Sequence, residues 1–226
     1  MDDGPFDLQT SSGVLPGTLY HAESPRALLV FAHGAGAGRA HPWMRGRASD
    51  LRERGLSVLT FDFPYMAQGR RVPDKAPVLV SAFRDVVAHA ATRTSAPLLI
   101  GGKSMGGRMA TMLAAEPPLH PAVIGVVSMG YPLHPPGKPD QLRVAHLGAV
   151  EVPWLAVQGT RDPFGSADDI AEACRVAGVS PTIVSVPDGG HGFEVPKRSG
   201  SQAATFAAVA DAVSNWLDTL LSASEQ

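Results

Sequence analysis

The sequence is poor in cysteine, and this excludes a fold that depends on disulfide bonds. Cys174 is the only cysteine among 226 residues, so no internal disulfide can form. A chain of this length can bury a large core and needs neither disulfides nor a structural metal to be stable. A single cysteine also favours a reducing compartment, because disulfides persist where conditions are oxidising.

Long apolar runs and a large excess of one charge are missing as well. No run approaches the roughly 20 residues that a membrane-spanning helix needs. The first ten residues, MDDGPFDLQT, are acidic and carry no apolar stretch, so no secretory signal is expected. The formal net charge is -2, whereas non-specific binding to nucleic acid needs a basic surface. These absences predict a cytoplasmic protein that binds neither membranes nor nucleic acid.

Six short apolar runs have the length of buried β-strands. Most are continuously apolar, which is typical of strands covered by helices on both faces. The predicted strands are 27–32, 56–63, 97–102, 122–129, 153–159 and 181–186. The predicted helices are 43–55, 76–93, 105–116, 166–178 and 201–221.

This alternation of strands and helices predicts an α/β fold. We expect a mostly parallel, doubly wound sheet of six parallel strands with helices on both faces. Residues 5–21 contain proline and glycine turns and can add an antiparallel hairpin at one edge. No repeat, low-complexity tract or linker is visible, so residues 1–226 are expected to form one domain.

A G-x-S-x-G motif, GKSMG at 102–106, follows the strand predicted at 97–102 and opens the next predicted helix. This is the context of a nucleophile elbow, in which a tight turn lifts a serine hydroxyl above the sheet. The turn needs small neighbours, and the motif lacks the spacing of a P-loop or a G-x-G-x-x-G phosphate-binding turn. Ser104 is therefore the predicted nucleophile, and the backbone N–H of Met105 a predicted oxyanion donor.

A serine nucleophile needs a base, and the base needs a carboxylate that orients it. Asp162 and His191 follow the two strands predicted after 122–129, in the order that this kind of fold uses. Each alone could be a turn former or a surface residue. Asp188, three residues before His191, is the rival for the acid, although it shares the loop of the histidine.

The loop after the first parallel strand reads HGAGAG (33–38), and its small residues let backbone N–H groups approach an oxyanion. Ala35 is the first choice for the second oxyanion donor and Gly36 the second choice. We expect His33 to brace this loop through hydrogen bonds. The remaining histidines lack metal-ligand spacing, so neither a metal nor another cofactor is expected.

The whole chain resembles the α/β-hydrolase superfamily through GKSMGG, GTRDP and GGHGF at successive strand ends. It is most similar to the small lidless branch grouped with the testis-expressed and NSL-complex homologues, and more distantly to the dienelactone hydrolases. The phrases that carry this likeness are FAHGAGAG (31–38), FDFPYMAQGRR (61–71), GGKSMGGRMA (101–110), QGTRDPFG (158–165) and GGHGFE (189–194).

The resemblance implies catalysis by Ser104, Asp162 and His191, with an oxyanion hole at Met105 and either Ala35 or Gly36. Dienelactone hydrolases carry cysteine where this chain has Ser104, so their substrate is not implied. The expected activity is the cleavage of carboxylic esters through an acyl-enzyme. A thioesterase or peptidase using the same three side chains is the alternative enzyme, and a non-catalytic interaction module is the alternative outside enzymes.

Many members of the superfamily carry a helical cap where this chain has only residues 131–152. That segment is too short and too rich in proline for several helices. We therefore expect no cap domain and an open cleft roofed by 131–152 and 63–75. Its predicted walls are Tyr65, Met66, Tyr131 and Leu133. Such a cleft favours small, accessible acyl esters, and the protein is expected to be a monomer or a small homo-oligomer.

Overall fold

The computed structural model describes residues 4–224, which form one eight-stranded sheet flanked by helices. The strands are β1 (Gly4–Thr10), β2 (Gly13–Tyr20), β3 (Ala27–Ala32), β4 (Leu56–Phe61), β5 (Leu98–Lys103), β6 (Val123–Met129), β7 (Trp154–Gly159) and β8 (Thr182–Val186). The helices are α1 (Pro42–Arg52), α2 (Pro64–Ala67), α3 (Ala76–Ala91), α4 (Met105–Ala114), α5 (Ala167–Ala177) and α6 (Gln202–Ser224). The outermost residues of the predicted domain, 1–3 and 225–226, lie outside this description.

The strand order is β1-β2-β4-β3-β5-β6-β7-β8. Strands β3 to β8 run parallel, while β1 and β2 pair antiparallel and β2 joins the edge of β4, also antiparallel. The predicted fold of six parallel strands with an N-terminal hairpin is thus confirmed. The strand predicted at 56–63 is shorter, because Pro64 opens α2 and the chain leaves the sheet after Phe61.

Both faces of the sheet are buried, which explains the continuously apolar strands. Along β3, Leu29 and Phe31 pack under α1 and α6, whereas Leu28 and Val30 pack under α3 and α4. Successive side chains of a strand point to opposite faces, so a strand covered on both sides must be apolar at every position. Within residues 4–224, no helix combines the length and the hydropathy that crossing a bilayer requires.

The segment 131–152 lies at the carboxyl edge of the sheet and carries only a single 3₁₀ turn, at Leu147–Ala149. Hydrogen bonds attach both parts of it to the body of the protein. The N–H of Tyr131 donates to Gln158 Oε1 on β7 over 2.7 Å, and His146 Nε2 lies 2.9 Å from Thr111 Oγ1 on α4. The segment is therefore a bound loop rather than a cap, as the sequence predicts.

The attachment of this loop should make stability depend on pH. Burial, and then the nearby charge of Arg108, lower the pKa of His146 from 6.5 to about 4. Between these values the unfolded chain binds a proton that the folded protein excludes, so stability should fall as the pH drops through this window. The full shift corresponds to about 3 kcal/mol, and screening at this partly exposed site should reduce it to about 2 kcal/mol.

Urea unfolding at pH 7 and at pH 4.5 measures this loss. We expect His146→Gln, whose amide can still bond Thr111, to lose less stability on acidification than the wild type does. Equal losses in the two proteins would show that His146 is not the group responsible.

Candidate active site

Ser104 alone joins β5 to α4, and its backbone is strained. Its φ of 51 and ψ of -115 are rare for a residue with a side chain. Two hydrogen bonds hold this conformation. The N–H of Ser104 donates to the carbonyl of Met129 over 3.0 Å, and its own carbonyl accepts from the N–H of Arg108, also over 3.0 Å. The predicted sharp strand-to-helix turn is therefore present.

The two glycines of the motif allow the turn to lie against the end of β3. A Cβ atom on Gly102 would be 2.5 Å from the carbonyl oxygen of Ala32, and one on Gly106 would be 2.3 Å from the same oxygen. Real Cβ atoms do not approach backbone this closely. The chain needs glycine at both positions because α4 begins in direct contact with the neighbouring strand.

The three side chains predicted to act together form one hydrogen-bonded chain. His191 Nε2 lies 2.8 Å from Ser104 Oγ, and His191 Nδ1 lies 2.8 Å from Asp162 Oδ2. The buried Asp162 carboxylate also accepts from Gln158 Nε2 over 3.0 Å and from the N–H of Phe164 over 2.8 Å. These two further donors fix the position of the carboxylate.

Asp188 lies in the loop of His191 but makes other contacts. Its carboxylate accepts from the Ser199 hydroxyl over 2.7 Å and lies 3.7 Å from Arg161. The left-handed backbone of Asp188, with φ 54, belongs to the turn that follows β8. Of the two candidate acids, Asp162 is the one that contacts the histidine.

His33 braces the loop after β3, as the sequence predicts. Its buried Nδ1 lies 2.7 Å from the carbonyl of Gly34, and its Nε2 accepts from the N–H of Phe63 over 3.0 Å. This pair of contacts requires a neutral ring with the proton on Nδ1. Burial favours that state by lowering the pKa of His33. The histidine thereby joins the two loops that follow β3 and β4.

Lys103 holds the loop of His191, a role that the sequence analysis did not find. Its ammonium donates to the backbone carbonyl of His191 and lies 5.4 Å from the ring centre of Trp43 and 5.8 Å from that of Phe193. Burial lowers the pKa of Lys103 to about 8, against the pull of the Asp162 carboxylate. No sequence pattern predicts this contact, because it joins the end of a strand to a loop 88 residues away.

A cavity of about 780 Å³ opens beside Ser104 and His191. Ala35 and Met105 are part of its wall, so two of the predicted oxyanion donors border it. Gly36 is not part of the wall, and its backbone lies beside the Tyr65 hydroxyl instead. The other wall residues include Trp43, Asp74, Leu79, Arg108, Met109, Pro132, Arg143, Phe164 and Glu194.

The structure corrects the predicted walls of the cavity, because none of the four predicted residues lines it. Tyr65 and Tyr131 are fully buried in the core, and Leu133 is buried against Gly165. Met66 packs beside Gly38. The segments 63–75 and 131–152 do border the cavity, but through other residues. Irregular loops have no side-chain period, so the sequence pattern could not show which residues face inward.

The fold agrees with comparisons to known proteins. Residues 25–218 match the alpha/beta hydrolase domain family, and the chain belongs to that family. In overall structure it is similar to a dienelactone hydrolase from Anabaena variabilis, with 25% identity, a TM-score of 0.74, and 96% of this chain and 97% of that chain covered. It is also similar to a lidless α/β serine hydrolase from Xanthomonas campestris, with 21% identity, a TM-score of 0.75, and 96% and 95% covered.

A curated relative comes from Mycobacterium tuberculosis and carries the name of a phosphoribosyl transferase. It is 32% identical over 197 residues, which make up 84% of this chain and 42% of that protein. The chain therefore spans about two-fifths of the length of this relative, and the name of the longer protein does not describe the matched part by itself.

The close approach at the elbow leads to a prediction about stability. Gly106→Ala should destabilise the protein by about 1–3 kcal/mol or more, because its methyl group would overlap the backbone of Ala32. Gly46, inside α1, is a matched control, since apart from the adjoining backbone of its own helix no heavy atom lies within 4 Å of the position of its Cβ. Gly46→Ala should stabilise α1 by about 0.5–1 kcal/mol. Urea unfolding measures both changes, and equal effects would contradict the packing argument.

Proposed function

We propose that the protein is a serine hydrolase that cleaves carboxylic esters through an acyl-enzyme. The observation that carries this proposal is the unbroken chain of hydrogen bonds from Ser104 through His191 to Asp162, each 2.8 Å long, at the edge of an accessible cavity. Hydroxyl, imidazole and carboxylate in this order can activate a nucleophile that is otherwise unreactive at neutral pH.

The proposed reaction follows from the positions of these three groups. His191 Nε2 takes the proton of Ser104 as Oγ attacks the ester carbonyl, and then gives that proton to the departing alcohol. Asp162 holds the proton of the ring on Nδ1 and stabilises the transient imidazolium. Water then enters and loses a proton to His191 as its oxygen attacks the acyl carbon; the bond to Ser104 Oγ breaks, His191 returns the proton to Oγ, and the acid leaves.

Two backbone N–H groups are proposed to stabilise the tetrahedral intermediate. Met105 is the first residue of α4, where a backbone N–H has no acceptor within the helix. Ala35 borders the same cavity from the loop after β3, which favours it over Gly36. Loss of one such donor costs about 2.7–4 kcal/mol of transition-state stabilisation.

The cavity supports small or accessible acyl esters as substrates. Its wall near His191 includes Phe164, whose ring centre lies 4.4 Å from that of the histidine. Thioesters and peptides are the alternative substrates, since the same groups serve every acyl transfer. We further propose that residues 1–226 act as one cytoplasmic domain without a cofactor. Within the superfamily, we propose that the chain belongs to the small lidless branch grouped with the testis-expressed and NSL-complex homologues.

Hydrolysis of p-nitrophenyl acetate and p-nitrophenyl butyrate, beside a thioester of the same acyl groups, tests the proposed activity. The wild type should hydrolyse the oxygen esters faster than the thioesters. Ser104→Ala should reduce the rate to near that of buffer, because serine and histidine act as a unit. A folded wild type without activity on any of these compounds would favour the interaction module.

The identity of the acid is tested by two matched substitutions. Asp162→Asn should reduce kcat by about 10⁴-fold with the fold intact, because an amide no longer holds the proton of His191 on Nδ1. Asp188→Asn should leave kcat within a few-fold of the wild type, since Asp188 contacts Ser199 and Arg161 instead. The reverse order of the two effects would show that the acid is misassigned.

A further inference from the structure

Two arginines of the cavity wall have no acidic partner. Arg108 lies on α4, one turn after Ser104, and Arg143 lies in the segment 131–152. Within residues 4–224, no ion pair is found for either guanidinium. Arg143 makes one long contact of 3.5 Å with the carbonyl of Pro132, and Nε of Arg108 is buried without a hydrogen-bond partner.

Several arginines elsewhere in this fold have a carboxylate beside them. Arg47 Nε donates to Asp50 over 2.7 Å, Arg54 Nε to Asp211 over 2.6 Å, and Arg84 pairs with Glu116 over 3.1 Å. Removing a charge from water is costly unless it is paired. The two arginines of the cavity differ from these three because no carboxylate pairs with them.

The groups around the pair do not supply the missing negative charge. Burial raises the pKa of the Tyr131 hydroxyl and lowers that of His146, so both are neutral at pH 7. Burial, and then the charge of Arg108, lower the pKa of Arg143, and the group that opposes them is not a carboxylate.

The acidic residues of the same wall are engaged by other groups. Asp74 pairs with Arg70 through one carboxylate oxygen over 2.8 Å, while its other oxygen is buried without a hydrogen-bond partner. Glu194 accepts from the N–H of Gly192 over 2.8 Å on the side of Lys103. Neither carboxylate forms an ion pair with Arg108 or Arg143, so the charges of these two arginines are not paired by the described residues of the wall.

We propose that Arg108 and Arg143 bind an oxyanion, a carboxylate or a phosphate, that the ester substrate carries. The inference rests on the proposed function and specifies its substrate class. Guanidinium groups bind planar carboxylates and phosphates through paired, charge-assisted hydrogen bonds. Four residues of helix rise by about 6 Å, so the anion is separated from the reacting carbonyl by a spacer of only a few atoms.

Paired substrates test the proposal. The p-nitrophenyl monoester of glutarate carries a negative charge on its acyl side. It is compared with p-nitrophenyl pentanoate, which has a neutral acyl chain of the same length. On the alcohol side, 4-acetoxybenzoate and 4-acetoxyphenyl phosphate are each compared with 4-methylphenyl acetate. We expect at least one anionic ester to exceed its neutral counterpart by tenfold or more in kcat/KM, and this preference to decrease as salt is added.

The variants locate the preference. Arg143→Gln and Arg108→Gln should each reduce the ratio of anionic to neutral kcat/KM by about tenfold or more, as expected for loss of a charge-assisted contact. Arg175→Gln is the matched control, because Arg175 pairs with Glu172 on α5 and is not part of the cavity wall. Arg143 lies in a surface loop, so its variant can decide the outcome if Arg108→Gln does not fold.

The absence of any anionic preference, or its persistence in the variants that fold, would overturn the inference. If even the neutral esters are not hydrolysed, the proposed function fails, and a binding measurement then decides the inference separately. Calorimetry with glutarate, 4-hydroxybenzoate and inorganic phosphate on the Ser104→Ala protein should show binding of at least one anion that Arg143→Gln weakens tenfold. No binding, or equal binding, would overturn it.

Discussion

The site depends on one close approach, between the first turn of α4 and the end of β3. The oxygen of Ala32 lies so near Gly102 and Gly106 that neither position accepts a side chain. This contact forces the chain to reverse within a single residue, and Ser104 takes up the strain. Strain of this kind persists only where the surrounding structure determines it, and here the sheet on one side and α4 on the other do so.

The parallel sheet brings residues that are far apart in the sequence close together at one edge. Ser104, Asp162 and His191 follow β5, β7 and β8, and all parallel strands end at the same edge. The loops then need only short reaches to align the side chains. Gln158 fixes the carboxylate of Asp162, and Lys103 fixes the backbone of His191. Each of these two residues is therefore held in place by a further hydrogen bond.

Much of this arrangement could be predicted from the sequence because its causes are local. Continuous apolar runs predict strands that are buried on both faces of the sheet, and the two glycines of the G-x-S-x-G motif predict a tight turn. The positions of Ser104, Asp162 and His191 at strand ends indicate that they meet, and the structure brings them together. The roles of these residues in catalysis stay a prediction.

The walls of the cavity could not be predicted in the same way. Tyr131 is apolar enough for a wall, yet its ring is buried and its hydroxyl is bound to the carbonyl of Arg143. Neighbours of the predicted residues, such as Pro132, face the cavity instead. The contact of Lys103 with the loop of His191 likewise joins residues far apart in the sequence, and the spacing of the two residues does not predict it.

Covalent labelling of the wild-type protein with a fluorophosphonate, followed by peptide mapping with mass spectrometry, tests the central claim most directly. A nucleophile activated by the neighbouring imidazole should give one adduct, on Ser104, and His191→Ala should lose it while remaining folded. An adduct on another residue, or labelling of Ser104 that does not depend on His191, would contradict the account.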